Sequence, residues 1–309
     1  MTSLLTNASA ITALQNLNAT NKSMQTTQER ISTGMRVANA SDNAAYWSIA
    51  TTMRSDNSAL STVKDALGMG SATVDVASAA LKTTTDLVTQ IKSKLVAARQ
   101  PGIDRTKVQA EITQLQNQIR SVADSSTFSG QNWLAVDSSG ADYNATKNIV
   151  ASFTRSSSSV SIGTIDVDTS TMALYDANSG GTGGIIDKSR DVGATTGIKV
   201  STLDISALTD STTDQTTLDN YISATDAALT DVTTAASDLG AVKTRITMQS
   251  DFVSNLMDAV TKGIGQLVDA DMNTESTRLQ ALQVQQQLGV QSLSIANQSS
   301  QQILSLFKG

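Results

Sequence analysis

The chain contains no histidine and no cysteine, and its only proline is Pro101. Without imidazole or thiol groups, the protein has no histidine general base, no thiolate nucleophile, no His-ligated metal site and no disulfide. The near absence of proline also leaves long stretches in which nothing interrupts a helix. The sequence therefore predicts no catalytic residue, no metal site and no cofactor. It also indicates that stability comes from packing and association.

Charge is scarce at both ends of the chain and concentrated in its middle. Residues 2–21 and 279–307 carry no charged side chain, whereas residues 131–215 hold ten Asp against five Lys or Arg. The net charge of −6 argues against nucleic-acid binding, because no basic stripe exists to displace counterions. Frequent Gln, Ser and Asn interrupt the apolar residues near the C-terminus, so no membrane span is predicted. The N-terminus has no basic segment followed by an apolar run, and we expect no cleaved signal peptide.

Apolar residues recur at alternating spacings of three and four along most of the chain. The pattern extends over 60–98, 108–122 and 218–267, and it is typical of long helices packed lengthwise. The Pro101-Gly102 pair lies between the first two stretches, where antiparallel helices need a turn, and Asp104 is placed to cap the second. The spacing therefore predicts a bundle of long antiparallel helices.

The N-terminal end continues this helical pattern. Residues 1–35 predict a first helix, for which Gly34 is a suitable stop. Ser41 or Asp42 then caps a short helix that is expected to end near Thr52.

The C-terminal third, from about Leu218 to Phe307, is interpreted as one long helical rod. A solvated helix face normally carries Lys and Glu, yet the last part of this rod is uncharged. An uncharged helix with Gln, Ser and Asn faces is expected to be surrounded by other helices. Both chain ends therefore indicate assembly.

The sequence changes character between about residues 128 and 215. Half of the ten aromatic residues lie within 128–175, and Ser, Thr and Gly are frequent. Period-two alternation at Ile149–Phe153, Val160–Val167 and Ile198–Ile205 predicts short strands. The predicted fold class is mainly α with a β-rich insert: a long antiparallel helical bundle or coiled coil from both chain ends, plus a small β-rich outer domain.

The densest group of carboxylates is Asp269, Asp271 and Glu275. An acid–base or metal site would need His or further ligands close by, which the pattern does not supply. We interpret these side chains as helix solvation or as pairing between subunits.

Both ends of the chain resemble the signatures of the bacterial flagellins. Residues 31–45 (Ile-Ser-Thr-Gly-Met-Arg-Val-Ala-Asn-Ala-Ser-Asp-Asn-Ala-Ala) resemble the N-terminal signature. Three segments resemble the C-terminal signature: 269–275, 285–289 and 296–306. The matching signature residues are Gly34, Arg36, Asp42, Ala44, Ala45, Asp271, Glu275, Gly289 and Asn297.

This resemblance implies a structural protein and not an enzyme: the subunit that self-assembles into the extracellular helical filament of the bacterial flagellum. It implies a homo-polymer, which other flagellins can join. It also implies export in an unfolded state through the flagellar type III apparatus, guided by an uncleaved N-terminal region. The expected partners are an export chaperone, the filament cap and the hook-junction proteins, with no nucleic acid and no membrane insertion.

The resemblance also implies three domains. Residues 1–40 and 265–309 would form a terminal coiled-coil domain in the inner tube, and residues 41–130 and 215–264 a helical bundle in the outer tube. Residues 131–214 would form a variable, surface-exposed β-rich domain. The residues expected to make the inner-tube contacts are Leu4, Ile11, Leu14, Leu17, Leu282, Leu288, Leu293, Ile303 and Leu306.

One departure from the family lies in residues 89–96. In flagellins recognised by the mammalian innate receptor, the positions that correspond to Gln90 and Ser93 hold Arg and Glu. The comparison implies that this protein evades that receptor.

Two other interpretations are open at this point. A hook–filament junction protein has the same organisation of its chain ends but is made in few copies. A type III secretion translocator or adhesin also has long heptads without cysteine, but it would bind a membrane or a host surface and form no long fibres.

Overall fold

The computed structural model describes residues 7–140, 143–156, 159–178 and 183–308, apart from the side chains of 299–308. Its helices are α1 (Ala8–Thr33), α2 (Ala44–Ala98), α3 (Arg105–Ser125), α4 (Thr212–Val268) and α5 (Met272–Lys308). Its strands are β1 (Thr127–Phe128), β2 (Gln131–Asn132), β3 (Ala135–Val136), β4 (Thr146–Arg155), β5 (Val160–Asp168), β6 (Tyr175–Asp176), β7 (Arg190–Val192) and β8 (Thr195–Ile198). The mainly α class with a strand-rich insert is confirmed.

The chain divides into two compact units. The first comprises Met1–Ser58 and Met257–Gly309, and the second comprises Ala59–Leu256. Helices α2 and α4 contribute residues to both units. The division into three domains made from the sequence stays a prediction.

Helices α2 and α4 form the core of the second unit through the predicted heptad pattern. The α2 residues at the predicted three-and-four spacing are all buried: Leu60, Val63, Leu67, Gly70, Val74, Ala77, Leu81, Thr84, Val88, Ile91, Leu95 and Ala98. Helix α4 contributes Leu218, Ala228, Val232, Ala235, Leu239, Ile246 and Val253. Ion pairs between the helices join Arg99 to Asp219 and, two turns earlier on α2, Lys92 to Asp226. Because α4 residue numbers rise as α2 numbers fall, the two helices are antiparallel.

The predicted short helix ending near Thr52 is wrong, since α2 continues to Ala98. The apolar pattern lapses over residues 53–59, but this stretch contains no glycine or proline. A lapse in hydrophobic periodicity weakens the packing face without breaking the backbone hydrogen bonds. The helix therefore runs through the gap.

Caps at the helix ends agree with the sequence at two positions and differ at a third. Gly34 ends α1 in the left-handed conformation, with φ +71°, and Asp104 caps α3 by accepting the N–H of Lys107. At the start of α2 the capping residue is Asn43, whose Oδ1 accepts the N–H groups of Ala45 and Tyr46. Neither Ser41 nor Asp42 has this role.

The C-terminal rod is not continuous, because it breaks between Val268 and Met272. The carbonyl of Val268 accepts the N–H groups of Arg36 and Val37, and the N–H of Ala270 is donated to the carbonyl of Gly34. These hydrogen bonds replace the intrahelical ones over the break. The heptad pattern could not reveal them because they join segments more than 200 residues apart.

The third predicted strand, Ile198–Ile205, is also wrong beyond its first residue. A 3₁₀ turn occupies Val200–Thr202, although Val200, Leu203 and Ile205 are buried. Two glutamines of α3 satisfy this backbone in place of a neighbouring strand: Gln116 donates to the carbonyls of Val200 and Leu203, and Gln109 accepts the N–H of Ile205.

In its described residues, the insert contains four two-stranded sheets. The longest is the antiparallel β4–β5 hairpin, which confirms the strands predicted at 149–153 and 160–167. Strands β3 and β6 pair in parallel. The buried side chains beneath these sheets include Trp133, Leu134, Ile149, Ile165, Leu174 and Ile186.

Candidate assembly site on the terminal helices

Helices α1 and α5 pair in an antiparallel arrangement within the first unit. Arg30 lies 3.1 Å from Glu275, and Gln286 donates a hydrogen bond of 2.8 Å to the side chain of Asn21. At the far end of the pair, the Asn7 side chain donates to the carbonyl of Ala296 at 2.9 Å. These three contacts fix the register of the pair.

The two helices approach closely at one glycine of the C-terminal signature. A Cβ atom added at Gly289 would lie 3.3 Å from a methyl group of Leu17. An added methyl group would therefore make a tight contact, which the Leu17 side chain must relieve by a shift of a few tenths of an ångström.

The pair leaves much of its apolar surface uncovered. On α1, Ile11 and Leu14 are 50% and 48% exposed, and on α5 Leu288 is 55% exposed. Three more exposed apolar side chains lie on α5: Val284, Val290 and Ile295. These side chains lie where the two helices carry no charge, within residues 8–21 and 279–297. A concentration of exposed aliphatic side chains on such a surface marks an interaction site.

The predicted contact residues occupy different environments. Leu282 is buried between the helices, Leu17 and Leu293 are half-buried, and Ile11, Leu14 and Leu288 are exposed. Leu4 lies outside the described residues, as do the side chains of Ile303 and Leu306.

The signature residues near the start of α2 surround the turn that leads into the helix. The Arg36 guanidinium donates to the carbonyl of Leu267 at 3.0 Å and lies 5.9 Å from the ring centre of Tyr46. The Asp42 carboxylate accepts the N–H groups of Ala38 and Asn39. Ala44 and Ala45 begin α2.

The signature carboxylates at the start of α5 have distinct partners. Asp271 accepts the N–H groups of Asn273 and Thr274 and the Thr274 hydroxyl, so it caps the helix. These hydrogen bonds, those from Thr274 first, lower the pKa of the Asp271 carboxyl. Glu275 is buried against Arg30. Asn297 lies exposed on α5.

A small core holds the break between α4 and α5 against the turn before α2. Its buried members are Val37, Ala50 and Val268. The sequence patterns predicted neither this cluster nor Arg30 as the partner of Glu275. The available signal was that Arg30 is one of few charges in α1 and stands at the antiparallel position opposite a C-terminal acid.

Among the described residues, no three His, Cys, Asp or Glu side chains lie together as a metal site requires. In the same part of the chain, no helix has the length and hydropathy needed to cross a membrane.

Comparison with known proteins identifies the family to which the chain belongs. The model for the bacterial flagellin N-terminal helical region matches residues 4–138, and the model for the C-terminal helical region matches residues 222–307. The chain belongs to the bacterial flagellin family. Each matched region covers one of the paired terminal helices, α1 in the first region and α5 up to residue 307 in the second.

Relatives of known function agree over their full lengths. The chain is 49% identical over 323 residues to Flagellin C and 41% identical over 397 residues to Flagellin A, both of Rhizobium meliloti strain 1021. It is 44% identical over 310 residues to a flagellin of Brucella melitensis. In each case the alignment covers all of both chains.

Family membership answers the main functional question. This flagellin is a structural subunit of the extracellular flagellar filament, where it self-assembles with flagellin subunits, and it is not an enzyme. The matches favour the filament subunit over a junction protein or a translocator.

Proposed function

We propose that the exposed aliphatic residues of α1 and α5 are the subunit contacts of the innermost part of the filament. The observation that carries the proposal is that Ile11, Leu14 and Leu288 remain about half exposed although their helices are already paired. An aliphatic side chain gains nothing from this exposure, whereas burial against a second copy removes it from water. The predicted contacts at Leu4, Ile303 and Leu306 belong to the same proposal.

The energy available from this surface is considerable when it is repeated in every subunit. Full burial of a leucine contributes about 1.5–3 kcal/mol, so covering the exposed half contributes about 1 kcal/mol per residue. Six such residues per subunit would supply several kcal/mol. This gain opposes the loss of translational freedom on association.

The uncharged faces give these helices a second role. In the proposed arrangement, residues 1–40 and 265–309 line the inner tube, and a polar uncharged wall would not retain a charged chain passing along it. Residues 41–130 and 215–264 form the surrounding tube. Residues 131–214, which carry the acidic excess, face outward.

The remaining partners follow from the family. We propose that an export chaperone binds the C-terminal helix before the unfolded chain enters the flagellar type III apparatus, guided by an N-terminal region that is not cleaved. A cap protein then aids insertion at the filament tip, and hook-junction proteins form the base. The signature residues position the terminal helices for these steps.

The test uses single substitutions and seeded polymerisation of the purified full-length protein. Leu14→Gln and Leu288→Gln should each raise the concentration needed for filament growth by about fivefold or more, since each removes about 1 kcal/mol of contact energy. Circular dichroism of the unassembled protein should be unchanged, because both positions are exposed. Ile162→Gln is the matched control, since Ile162 is 62% exposed on β5 and should leave growth unaffected.

Normal growth of both leucine variants would overturn the assignment of these contacts. Deletion of residues 280–309 gives a coarser second test and should abolish polymerisation while the 60–260 region stays folded. If the truncated protein formed normal filaments, the inner-tube role of α5 would have to be abandoned.

A further inference from the structure

Asn-X-Ser/Thr triplets occur six times in the chain. In a protein that reaches the exterior, this triplet is the acceptor sequence for N-linked glycans, provided that it lies on an accessible loop. The six asparagines are Asn7, Asn18, Asn21, Asn39, Asn144 and Asn297. Their environments in the fold separate one of them from the rest.

Four of the triplets lie at the paired terminal helices. Asn18, Asn21 and Asn297 are within α1 or α5, where the helical backbone prevents the turn that brings the asparagine and the hydroxyl residue together. Asn7 caps α1, and its side-chain nitrogen is already donated to Ala296. None of these four presents an accessible loop amide.

Asn144 differs from all four. It is exposed, it precedes β4 in the insert, and its Oδ1 accepts the N–H of Thr146 at 2.9 Å. This hydrogen bond to the residue two positions on is an Asx turn. Within the described residues, no acceptor lies on its Nδ2, which is the atom that would carry a sugar.

Asn39 is the nearest competitor and serves as a matched control. It is also exposed and outside the helices. However, its turn is closed by Asp42, which accepts the N–H groups of Ala38 and Asn39, and the described contacts include no Asx bond to Ser41. Asn39 also belongs to the unit that carries the proposed subunit contacts, where a bulky glycan would obstruct packing.

The surroundings of Asn144 leave room for a sugar. A surface cavity of about 430 Å³ adjoins it, lined among others by Phe128, Gln131 and Asn148. The aromatic ring suits the apolar face of a pyranose, and the two side-chain amides suit its hydroxyl groups. Among the described residues, this cavity therefore offers space and suitable contacts for a linked sugar.

We propose that Asn144 is an N-glycosylation site of this flagellin. The donor is a sugar activated by a diphosphate leaving group. The bond from Nδ2 to the anomeric carbon forms, the bond from that carbon to the phosphate oxygen breaks, the diphosphate leaves with the electron pair, and one amide proton passes to solvent. No oxidant or reductant is required. The proposal does not depend on the subunit contacts proposed above.

The experiment is peptide mass spectrometry of filaments sheared from the bacterium that produces this chain. We expect a glycan mass on the peptide that contains Asn144, localised to that residue by electron-transfer fragmentation and retained after mild alkaline β-elimination, which removes O-linked sugars. Genomic Asn144→Gln and Thr146→Ala should both remove the mass, whereas Thr146→Ser and Asn39→Gln should retain it. The intracellular chain of each variant is measured as well, so that a variant impaired in assembly still gives an answer.

Unmodified Asn144 in native filaments, or a mass that persists in Thr146→Ala, would overturn the proposal. When the glycan is present on filaments, measuring the intracellular chain identifies the class of sugar donor. A glycan already on the chain inside an export-blocked strain indicates a nucleotide-activated sugar in the cell interior, which is the result expected because the proposed export route leads directly from there to the filament tip.

Discussion

Arg30 and Glu275 lie 245 residues apart in the chain, and their side chains form an ion pair of 3.1 Å between α1 and α5. The Glu275 side chain is only 9% exposed, and its Oε2 is buried without a hydrogen-bond partner among the described residues. Arg30, at 28% exposure, retains contact with water. The pair is therefore asymmetric, since the carboxylate depends on the arginine more than the arginine depends on it.

This asymmetry predicts unequal effects of substitution. Arg30→Met leaves a buried carboxylate without its cation and should weaken the α1–α5 pairing by about 2 kcal/mol. Glu275→Gln keeps a polar group of similar shape and should cost about 1 kcal/mol. Amide hydrogen exchange of α1 and α5 in assembled filaments measures both. Lys22→Met, which removes an exposed cation from the same helix, controls for charge, and equal effects in all three variants would contradict the prediction.

Two glycines of α2 should respond oppositely to alanine. A Cβ at Gly70 would lie 2.5 Å from Cγ2 of Ile149, so Gly70→Ala must displace the β4–β5 hairpin and should destabilise the second unit by about 1–3 kcal/mol. A Cβ at Gly68 meets nothing within 4 Å, so Gly68→Ala should stabilise the helix by about 0.5–1 kcal/mol. Thermal or urea unfolding of the unassembled protein measures the change in stability of each variant. A stabilising Gly70→Ala would show that the hairpin is not held against α2.

A further prediction concerns the glutamine that supports the irregular segment after β8. The Gln116 side chain is buried and donates to the carbonyls of Val200 and Leu203 at 2.9 and 3.1 Å. Gln116→Ala leaves both carbonyls without this donor and should destabilise the second unit by about 1–3 kcal/mol. Gln118→Ala, at an exposed position of the same helix, should have little effect. Urea unfolding of the two variants is the measurement, and equal midpoints would contradict this account.

The same segment explains what the sequence could and could not predict. Val200, Leu203 and Ile205 are buried, but the spacing of three between Val200 and Leu203 departs from the period of two that a strand requires. Whether buried residues form a strand depends on where their backbone groups find partners, and here the partners are side chains about 90 residues earlier in the chain. Heptad spacing predicted the long helices well because their contacts repeat every turn.

The candidate site was partly predictable for a related reason. The absence of charge at both ends is a property of composition and indicated that these helices are covered by others. The break at 269–271 depends on hydrogen bonds from the turn at 34–37. The periodicity of neither segment predicts these hydrogen bonds. The same holds for the Arg30–Glu275 pair.

The cap of α5 should be sensitive to acid. Hydrogen bonds from Thr274 and Asn273 lower the pKa of the Asp271 carboxyl, so the folded state favours the ionised form. The stabilisation is therefore present above the ordinary pKa of an aspartate and is lost as the pH falls through the lowered value. Nuclear magnetic resonance titration of the Asp271 carboxyl carbon, with amide exchange at Asn273 and Thr274, measures this directly.

Substitution of Asp271 separates capping from titration. Asp271→Asn retains a capping oxygen but no titrating group, so the exchange rates at the start of α5 should lose their dependence on acid. Asp258→Asn, at an exposed carboxylate of α4, should leave that dependence intact. If Asp271→Asn titrated like the parent protein, another group would be responsible.

The last prediction concerns the exposed face of α2 near Gln90 and Ser93. Both side chains are exposed and lie one helical turn apart, so a receptor that approaches this face would contact both. Flagellins recognised by the mammalian innate receptor carry Arg and Glu at the corresponding positions, and their absence here predicts weak activation of receptor-bearing cells by the purified monomer. Gln90→Arg combined with Ser93→Glu should raise that activation, since it restores charged contacts at unchanged backbone geometry. Gln100→Arg combined with Gln118→Glu, at exposed positions elsewhere, changes the same charges and should not raise it. Strong activation by the parent protein would refute the idea that these two positions permit evasion.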